Sequence, residues 1–183
     1  MIFEETPLKG AFVIELEEVF DERGSFARMF AEDEFEAHGL PTRFPQHNIS
    51  RNHKSQTLRG MHFNVPALAE AKLVRALSGA VYDQIVDLRP GSPTRLQSFG
   101  VELRAARGNA LFVPKGFAHG FITLEDNSDV FYLMSEVYRA SAGRGFRYND
   151  PSIGLVWPHA PKVIHPRDAA YPDFDLNEYD AGG

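Results

Sequence analysis

Short strand-like runs separated by turn residues dominate the chain from Thr57 to Val137. These runs are predicted at Leu58–Asn64, Ala71–Leu77, Ala80–Leu88, Ser98–Leu103, Ala110–Val113, His119–Leu124 and Asp129–Val137. Glycine and proline punctuate them, as in Pro90–Pro93 and Pro114–Gly116, where an extended chain can reverse its direction. Many short strands with almost no helix predict an all-β fold, either an antiparallel sandwich or a barrel.

The N-terminal third of the chain adds further extended segments. They are predicted at Gly10–Phe20, Ser25–Phe30 and Phe44–Ser50. Asp21–Gly24 is predicted as a turn and Arg51–Gln56 as a polar loop, while Ala31–Leu40 is typical of a short surface helix with an acidic start and a glycine stop. The C-terminal part is proline-rich and we expect it to wrap the domain. We expect residues 1–183 to form a single domain.

Composition limits the core and the partners. Of the 183 residues, 43% are hydrophobic and 24% are charged, which suits one sizeable core. The net charge of −6 argues against nucleic acid as a partner, because a phosphate backbone attracts basic surfaces. The lack of cysteine excludes disulfides, thiolate metal sites and cysteine nucleophiles. Without a long apolar run or a basic N-terminal region, we expect no membrane partner and a cytoplasmic location.

Three cationic or titratable side chains interrupt two of the predicted strands. Arg59, His62 and Lys72 lie among the apolar residues of Thr57–Gly79. Burying such groups without partners costs several kcal/mol, so their joint presence predicts a polar cavity. The alternative for each residue alone is an exposed sheet face. Strict alternation would place Arg59 and His62 on opposite faces, so Arg59 needs a strand entrance, a bulge or a twist to join the cavity.

A further histidine follows a spaced turn motif. The pattern Gly108-x5-Pro114-x-Gly116-x2-His119 places a turn between two strands and delivers His119 inward on the second. A hairpin with a structural histidine would give the same pattern. The motif also fits the second signature of the cupin superfamily, whose fold is a double-sheet jelly roll.

The first cupin signature is incomplete in this chain. Metal-binding cupins carry two histidines separated by one residue, whereas this chain reads His62-Phe63-Asn64 and so lacks one ligand. Glu70 with His62 and His119 makes a weak metal set. We predict no metal in the chemistry, and a metal-dependent cupin enzyme is kept as an alternative.

A longer series of motifs covers most of the chain. In order, they are Asp21-Glu22-Arg23-Gly24, Gln46-x-Asn48-x-Ser50, Leu58-Arg59-Gly60-Met61-His62, Lys72-Leu73-Val74-Arg75, Val86-Asp87-Leu88-Arg89, Pro114-x-Gly116-Phe117-Ala118-His119-Gly120-Phe121, Tyr132, Tyr138, Asp150-Pro151, Trp157-Pro158 and Asp168. From Arg23 to Asp168 the chain closely resembles the dTDP-4-dehydrorhamnose 3,5-epimerase family. The resemblance implies an all-β, cupin-type double-stranded β-helix (jelly roll) with a few short helices.

The resemblance also implies a reaction. Members of this family invert C3 and C5 of a nucleotide-linked 4-keto-6-deoxyhexose in dTDP-rhamnose biosynthesis, which supplies sugars for polysaccharides. Both carbons flank the C4 ketone, so removal of their protons gives an enolate, and no cofactor is needed. Such chemistry requires a base on one face of the sugar, an acid on the other face, and a cation at the developing oxyanion.

The family's catalytic positions are occupied in this chain. By resemblance, His62 is the base, since an imidazole titrates near neutral pH. Asp168 is the carboxylate that orients this imidazole. Lys72 is the cation at the C4 oxygen, and Tyr132 is the proton donor on the opposite face.

A second group of residues is implied in substrate binding. The set comprises Arg23, Arg28, Gln46, Asn48, Arg59, Asp83, His119, Tyr138 and Arg167. Arginine suits a diphosphate because its guanidinium donates forked, charge-assisted hydrogen bonds. Arg28 stands where family members carry a glutamate, so the preferred nucleotide stays open.

The resemblance further implies a homodimer in which an N-terminal strand crosses to the partner. An ordinary edge strand within one chain is the alternative, although the exposed edges of a jelly roll need cover. Three other functions also stay open: epimerisation at C3 only, epimerisation of another nucleotide sugar, and a non-catalytic sugar-binding cupin.

Overall fold

A computed structural model describes residues 1–182 and shows a chain built mainly from β-strands. In chain order the strands are β1 (Ile2–Glu5), β2 (Phe12–Glu15), β3 (Val19–Asp21), β4 (Gly24–Phe26), β5 (Gln46–Asn52), β6 (Thr57–Asn64), β7 (Lys72–Ser78), β8 (Ala80–Asp87), β9 (Ser98–Arg104), β10 (Ala110–Val113), β11 (Phe117–Thr123), β12 (Ser128–Met134), β13 (Gly143–Gly145) and β14 (Val163–Ile164). The helices are α1 (Glu32–Ala37), α2 (Pro166–Ala169) and α3 (Leu176–Asp180), with one 3-10 turn at Pro66–Leu68. The all-β prediction is confirmed.

Two sheets hold most of the strands. The first sheet has the order β1-β2-β10-β7-β12-β5. The second has the order β13-β6-β11-β8-β9, with β14 added in parallel to β6. Strands β3 and β4 form a separate hairpin. Because β7 pairs with β12 in the first sheet and β6 with β11 in the second, the two runs predicted to carry the polar residues lie in different sheets.

The main core fills the space between the two sheets. Val74 and Val130 of the first sheet pack against Ile85 and Phe121 of the second, and all four side chains are buried. Alternate residues of each strand point to opposite faces, so the inner positions of every strand contribute to this core. Tyr132 packs at its edge, two positions beyond Val130.

Each sheet is also covered on its outer face. Phe35 of α1 and the β1 strand pack with Phe12, Leu73 and Phe112 against the first sheet. Met61 and Val86 of the second sheet, together with Phe146 directly after β13, are covered by Phe174 and Tyr179 of the C-terminal segment. The C-terminal part therefore lies over the sheet that carries His62.

The structure corrects several predicted boundaries. Gly10–Phe20 is two strands rather than one, because only Phe12–Glu15 has strands beside it in the first sheet. The strand at Ile2–Glu5 was not predicted. The last strand of the first sheet ends at Met134, so Tyr138 lies in a loop and not on the strand that carries Tyr132.

The β3–β4 hairpin is exposed along its whole length. Val19, Phe20 and Phe26 are 71%, 73% and 77% exposed. Three large apolar side chains on one small hairpin form a patch that favours contact with another surface.

No helix within residues 1–182 combines the length and the apolar character that crossing a membrane would require.

Candidate active site

A polar cavity of about 840 Å³ opens between the two sheets. Its lining includes Gln46, Asn48, Arg59, His62, Lys72, His119, Tyr132, Tyr138, Arg167 and Asp168, as well as Ser50, Arg51, Asn64, Glu70, Arg144, His165 and Tyr171. The four residues that the sequence assigned to catalysis therefore share one compartment. They come from sequence positions that are up to 106 residues apart.

The two sheets supply opposite walls of this cavity. Lys72 begins β7, and Tyr132 lies on the neighbouring strand β12, both in the first sheet. His62 lies on β6 of the second sheet, with His119 directly opposite it on β11. A ring placed between the sheets can thus meet the imidazole of His62 on one side and the phenol of Tyr132 on the other.

His62 is held by a carboxylate that arrives from the far end of the chain. Its Nε2 lies 3.0 Å from Oδ1 of Asp168, which sits on the short helix α2. The other carboxylate oxygen accepts a hydrogen bond from the Gly60 backbone N–H at 3.1 Å. With Nε2 directed at Asp168, Nδ1 is the nitrogen left free to accept a proton.

Asp168 is almost fully buried and ionised. Burial alone would raise the pKa of this carboxyl, but the hydrogen bond and charge of His62, the Gly60 N–H and Arg167 outweigh it and lower the pKa to about 2. A carboxylate held in this form stabilises an imidazolium beside it. The contact therefore fixes the orientation of the His62 ring.

A β-bulge in β6 brings Arg59 to the same face as His62. His62 pairs with His119 and Arg59 with Phe121, so Gly60 and Met61 together lie opposite the single residue Gly120. The extra residue reverses the alternation of side chains between the two faces of β6. It is one of the irregularities that would allow Arg59 to join the cavity. Arg59 Nε also donates a hydrogen bond to Asn52 Oδ1 at 2.8 Å, which holds the guanidinium on the cavity wall.

Glycine is needed on both sides of this bulge. Gly60 has a φ of +126°, and a Cβ there would lie 2.6 Å from the Gly120 backbone. A Cβ on Gly120 would in turn lie 2.9 Å from the Arg59 carbonyl oxygen. The close approach of the two strands therefore depends on the glycines of the Arg59-Gly60 and His119-Gly120 motifs.

Lys72 forms a buried ion pair at the floor of the cavity. Its Nζ lies 3.3 Å from Glu70 Oε1, and the two side chains are 13% and 8% exposed. The second carboxylate oxygen of Glu70 is buried and has no hydrogen-bond partner within residues 1–182. The pair lies in a water-poor part of the cavity, where electrostatic interactions are stronger than in water.

Tyr132 is a protonated phenol under ordinary conditions. Burial raises the pKa of its hydroxyl; the nearby Arg59 lowers it in part, and Glu70 raises it further. A phenol with a raised pKa stays neutral at pH 7. It is therefore present in the form that can donate a proton.

His119 and Asp83 form a second histidine–carboxylate pair. The His119 Nε2 lies 3.0 Å from Asp83 Oδ2, and Asp83 is fully buried behind the cavity wall. His119 lines the cavity, whereas Asp83 does not reach it. The expectation that Asp83 lines the cavity and contacts the substrate is therefore wrong, and its position behind His119 leaves it only the role of a support for that imidazole.

The remaining predicted binding residues separate into two groups. Gln46, Asn48, Tyr138 and Arg167 line the cavity, and Gln46 Oε1 accepts a hydrogen bond from the Tyr138 N–H at 2.8 Å. Arg23 and Arg28 do not line it in their own chain.

Local ion pairs hold these two arginines at the surface. Arg23 pairs with Asp21 at the tip of the β3–β4 hairpin. Arg28 pairs with Glu34 of α1 at 3.1 Å. The assignment of Arg23 and Arg28 to substrate binding therefore stays a prediction that requires a second copy of the chain, as the expected exchange of N-terminal strands would provide.

The set of metal ligands considered from the sequence is not assembled. Within residues 1–182 no group of three or more His, Cys, Asp or Glu side chains is placed to hold a metal ion. His62 and His119 bond to Asp168 and Asp83, while Glu70 pairs with Lys72. Each candidate ligand thus has a partner of its own.

Sequence reasoning missed several cavity residues, among them Arg144, His165 and Tyr171. Strand alternation in the sequence identifies neither Arg144 nor Tyr171. Arg144 lies on β13, which is too short to show an alternating pattern, and Tyr171 lies in the segment after α2. The signal available for Tyr171 was its position three residues after Asp168, which any segment that delivers Asp168 would carry into the same region.

Solved structures superpose closely on this chain. One is dTDP-6-deoxy-D-glucose-3,5-epimerase from Legionella pneumophila Philadelphia 1 in complex with dTDP-4-keto-L-rhamnose. It is 36% identical, has a TM-score of 0.89, and the match covers 98% of this chain and 95% of that one. The protein is therefore an epimerase with a cupin-type jelly-roll fold, which confirms the fold class predicted from the sequence.

Sequence comparisons identify the family to which the protein belongs. A family model described as dTDP-4-dehydrorhamnose 3,5-epimerase matches residues 5–175. A relative of that name from Methanothermobacter thermautotrophicus is 41% identical over 156 residues, which is 85% of this chain and 83% of the relative. A dTDP-4-dehydrorhamnose 3-epimerase from Streptomyces niveus is 35% identical over 162 residues, which is 88% of this chain and 78% of the relative. The chain belongs to the dTDP-4-dehydrorhamnose 3,5-epimerase family.

Proposed function

We propose that this protein epimerises C3 and C5 of a dTDP-linked 4-keto-6-deoxyhexose without a cofactor. The observation that carries the proposal is that His62 and Tyr132 face one cavity from opposite sheets, with Lys72 beside them. The substrate class is supported by the Legionella relative, whose structure holds dTDP-4-keto-L-rhamnose. A cavity of about 840 Å³ is within the range of small-molecule sites.

The reaction begins with proton abstraction. His62 Nδ1 removes the proton from C3 or C5, and the electron pair of the broken C–H bond moves toward the C4 oxygen to give an enolate. Lys72 places its ammonium at this oxygen, where the negative charge develops. Asp168 stabilises the imidazolium that forms, because its carboxylate lies 3.0 Å from Nε2.

The reaction ends with proton delivery to the other face. Tyr132 donates its phenolic proton to the same carbon while the electron pair returns from the oxygen, so the configuration at that carbon is inverted. His62 then loses its proton to water, and the phenolate regains one. The product differs from the substrate only in stereochemistry and in a hydrogen exchangeable with solvent.

The nucleotide end of the substrate is proposed to occupy the rim of the cavity. Arg59 and Arg167 both line the cavity and supply guanidinium groups for the diphosphate. Gln46, Asn48 and Tyr138 lie on the β5 side, where amide and phenol groups are suited to a sugar or a base. His119, whose Nε2 is directed at Asp83, leaves Nδ1 as an acceptor for a sugar hydroxyl.

A homodimer with exchanged N-terminal strands is proposed to complete the site. The hairpin that carries Arg23 has no cover in its own chain, and Val19, Phe20 and Phe26 are exposed on it. Docking of this hairpin on a second copy would bury these side chains and bring the partner's Arg23 and Arg28 toward the nucleotide. Two arginines that lie outside their own cavity would thereby gain a function.

Epimerisation at C3 only is the second candidate. The Streptomyces niveus relative is named a 3-epimerase, so relatives with a single reacting carbon lie within the same range of identity. Whether a second carbon reacts depends on how the enolate is presented to Tyr132 after the first inversion.

One experiment separates these functions. The protein is incubated with dTDP-4-keto-6-deoxyglucose in deuterated water, and NMR follows deuterium and stereochemistry at C3 and C5. We expect deuterium at both carbons and none with the His62→Ala variant. Deuterium at C3 alone identifies the 3-epimerase, whereas inversion without deuterium from solvent contradicts the deprotonation mechanism.

A further inference from the structure

An aromatic ring lies against the imidazole of the proposed base, His62. Tyr171 follows α2 by two residues, and its ring centroid lies 6.0 Å from that of His62 with an interplanar angle of 73°. This is an edge-to-face contact, which aromatic pairs prefer. The segment that delivers Asp168 to His62 therefore delivers a phenol to it as well.

The backbone beneath Tyr171 is shaped to admit the ring. Gly145 of β13 pairs with His62 of β6, and a Cβ on Gly145 would lie 2.5 Å from the Tyr171 ring. The ring thus rests directly on the strand beside His62. Any side chain at position 145 would displace it.

Tyr171 lines two cavities. One is the main cavity, and the other is a second cavity of about 250 Å³ that Phe174 also lines. The boundary between the two cavities is shared with Phe63, Gly143 and Arg144. Within this boundary, Tyr171 is the residue whose ring pairs with the imidazole of His62.

Charged groups from three other elements face the same region. Asp168 and Arg167 come from α2, His119 from β11 and Arg144 from β13. Arg167 and Asp168 both act on the Tyr171 hydroxyl: burial raises the pKa of this phenol, Arg167 lowers it in part and Asp168 raises it. Among these side chains, Tyr171 is a neutral phenol, and its ring pairs with the imidazole of His62.

We propose that Tyr171 is a positioning residue for His62 and part of the cavity wall on the side of the base. This inference rests on the proposed function for its kinetic consequence, although the contact with His62 can be measured without substrate. Asp168 fixes one ring nitrogen, and the Tyr171 edge fixes the tilt of the imidazole plane. A base that is free to tilt spends less time aligned with the C–H bond, and a misplacement of about 1 Å can cost about 100-fold in rate.

The test uses three variants of Tyr171 and one matched control. Tyr171→Phe keeps the ring, Tyr171→Leu keeps apolar volume without a ring, and Tyr171→Ala removes most of the side chain. Phe174→Leu is the control, because Phe174 lines the second cavity but neither the main cavity nor His62. Thermal unfolding of each variant establishes that it folds.

The first readout needs no substrate. NMR measures the solvent exchange of the His62 Nε2 proton that is hydrogen-bonded to Asp168. We expect the wild type, Tyr171→Phe and Phe174→Leu to exchange alike, and Tyr171→Ala and Tyr171→Leu to exchange about tenfold faster or more, because opening becomes more frequent. Equal exchange in all five proteins would overturn the inference.

The second readout is kinetic. We expect kcat for C3 epimerisation to fall about tenfold or more in Tyr171→Ala and Tyr171→Leu, with KM little changed and Tyr171→Phe near the wild type. A loss that Phe174→Leu reproduces would assign the effect to general loosening and overturn the inference. If the wild type itself incorporates no deuterium, the proposed function fails, and the proton-exchange readout still decides whether Tyr171 positions His62.

Discussion

Replacing Asp168 with asparagine isolates the energetic value of the His62–Asp168 contact. The change removes the charge and keeps the size of the side chain. In the folded chain the pKa of Asp168 is about 2, against an ordinary value of 3.8. This difference corresponds to about 2 kcal/mol of stabilisation at neutral pH. The side chain is 3% exposed, so solvent does little to screen the contact.

The pH dependence follows from the direction of the shift. Because the folded-state pKa is lowered, Asp168 stabilises the fold fully above about pH 5 and loses this contribution as pH falls through 3.8 toward 2. Asp168→Asn has no such proton to bind. We therefore expect the gap in unfolding free energy between wild type and variant to be widest at pH 7 and to shrink toward pH 3.

Urea unfolding at a fixed protein concentration measures this gap, since a change in oligomer population would otherwise alter it. The control is Asp173→Asn, because Asp173 pairs with Arg147 at the surface and is 46% exposed. We expect the control to lie within about 0.5 kcal/mol of the wild type at every pH. An Asp168→Asn gap that is equally wide at pH 7 and pH 3 would refute the electrostatic reasoning.

Three further predictions follow from the cavity and the hairpin. Lys72→Met should lower kcat about 100-fold or more by removing the cation at the oxyanion. It should also lower Tm, because Glu70 would stay buried without its partner; adding Glu70→Gln should restore Tm but not kcat. A rate that recovers in the double variant would place Lys72 outside the reaction. Tyr132→Phe should still exchange deuterium at C3 through His62, yet return the proton to the same face, so NMR should detect exchange without inversion; inversion at the normal rate would remove Tyr132 from the mechanism. Phe20→Asp on the exposed hairpin should shift the mass measured by light scattering from dimer to monomer and weaken binding of dTDP; an unchanged dimer would exclude the hairpin from the interface.

The fold class could be predicted from the sequence because it follows from local patterns, whereas the proposed catalytic set was inferred from the family resemblance, and the structure places its four members around one cavity. Short strands between Gly/Pro turns determine the β architecture, and His62, Lys72 and Tyr132 lie on strands whose alternation can be read directly. The bulge at Gly60 was anticipated only as a requirement of Arg59. Its position depends on the close approach of Gly120, a contact between strands that one strand's sequence does not specify.

Residues on irregular segments were harder to predict. Tyr171 and Arg144 reach the cavity because β13 and the C-terminal segment lie at the edge of the second sheet. No hydrophobic periodicity in the sequence predicts the course of these two segments. Arg23 and Arg28 are a different case. Local ion pairs hold both residues at the surface of their own chain, so their assignment to the substrate stays a prediction that depends on the proposed dimer.

In the proposed mechanism, the acid and the base lie on separate sheets, so the core between the sheets determines the distance between them. Val74, Ile85, Val130 and Phe121 act as spacers, and their combined bulk sets the gap into which a flat sugar ring must fit. A substitution deep in this layer, far from any substrate atom, would change the reach of both proton carriers at once. If His62 and Tyr132 act as proposed, we expect the catalytic rate to depend on the thickness of the hydrophobic interior.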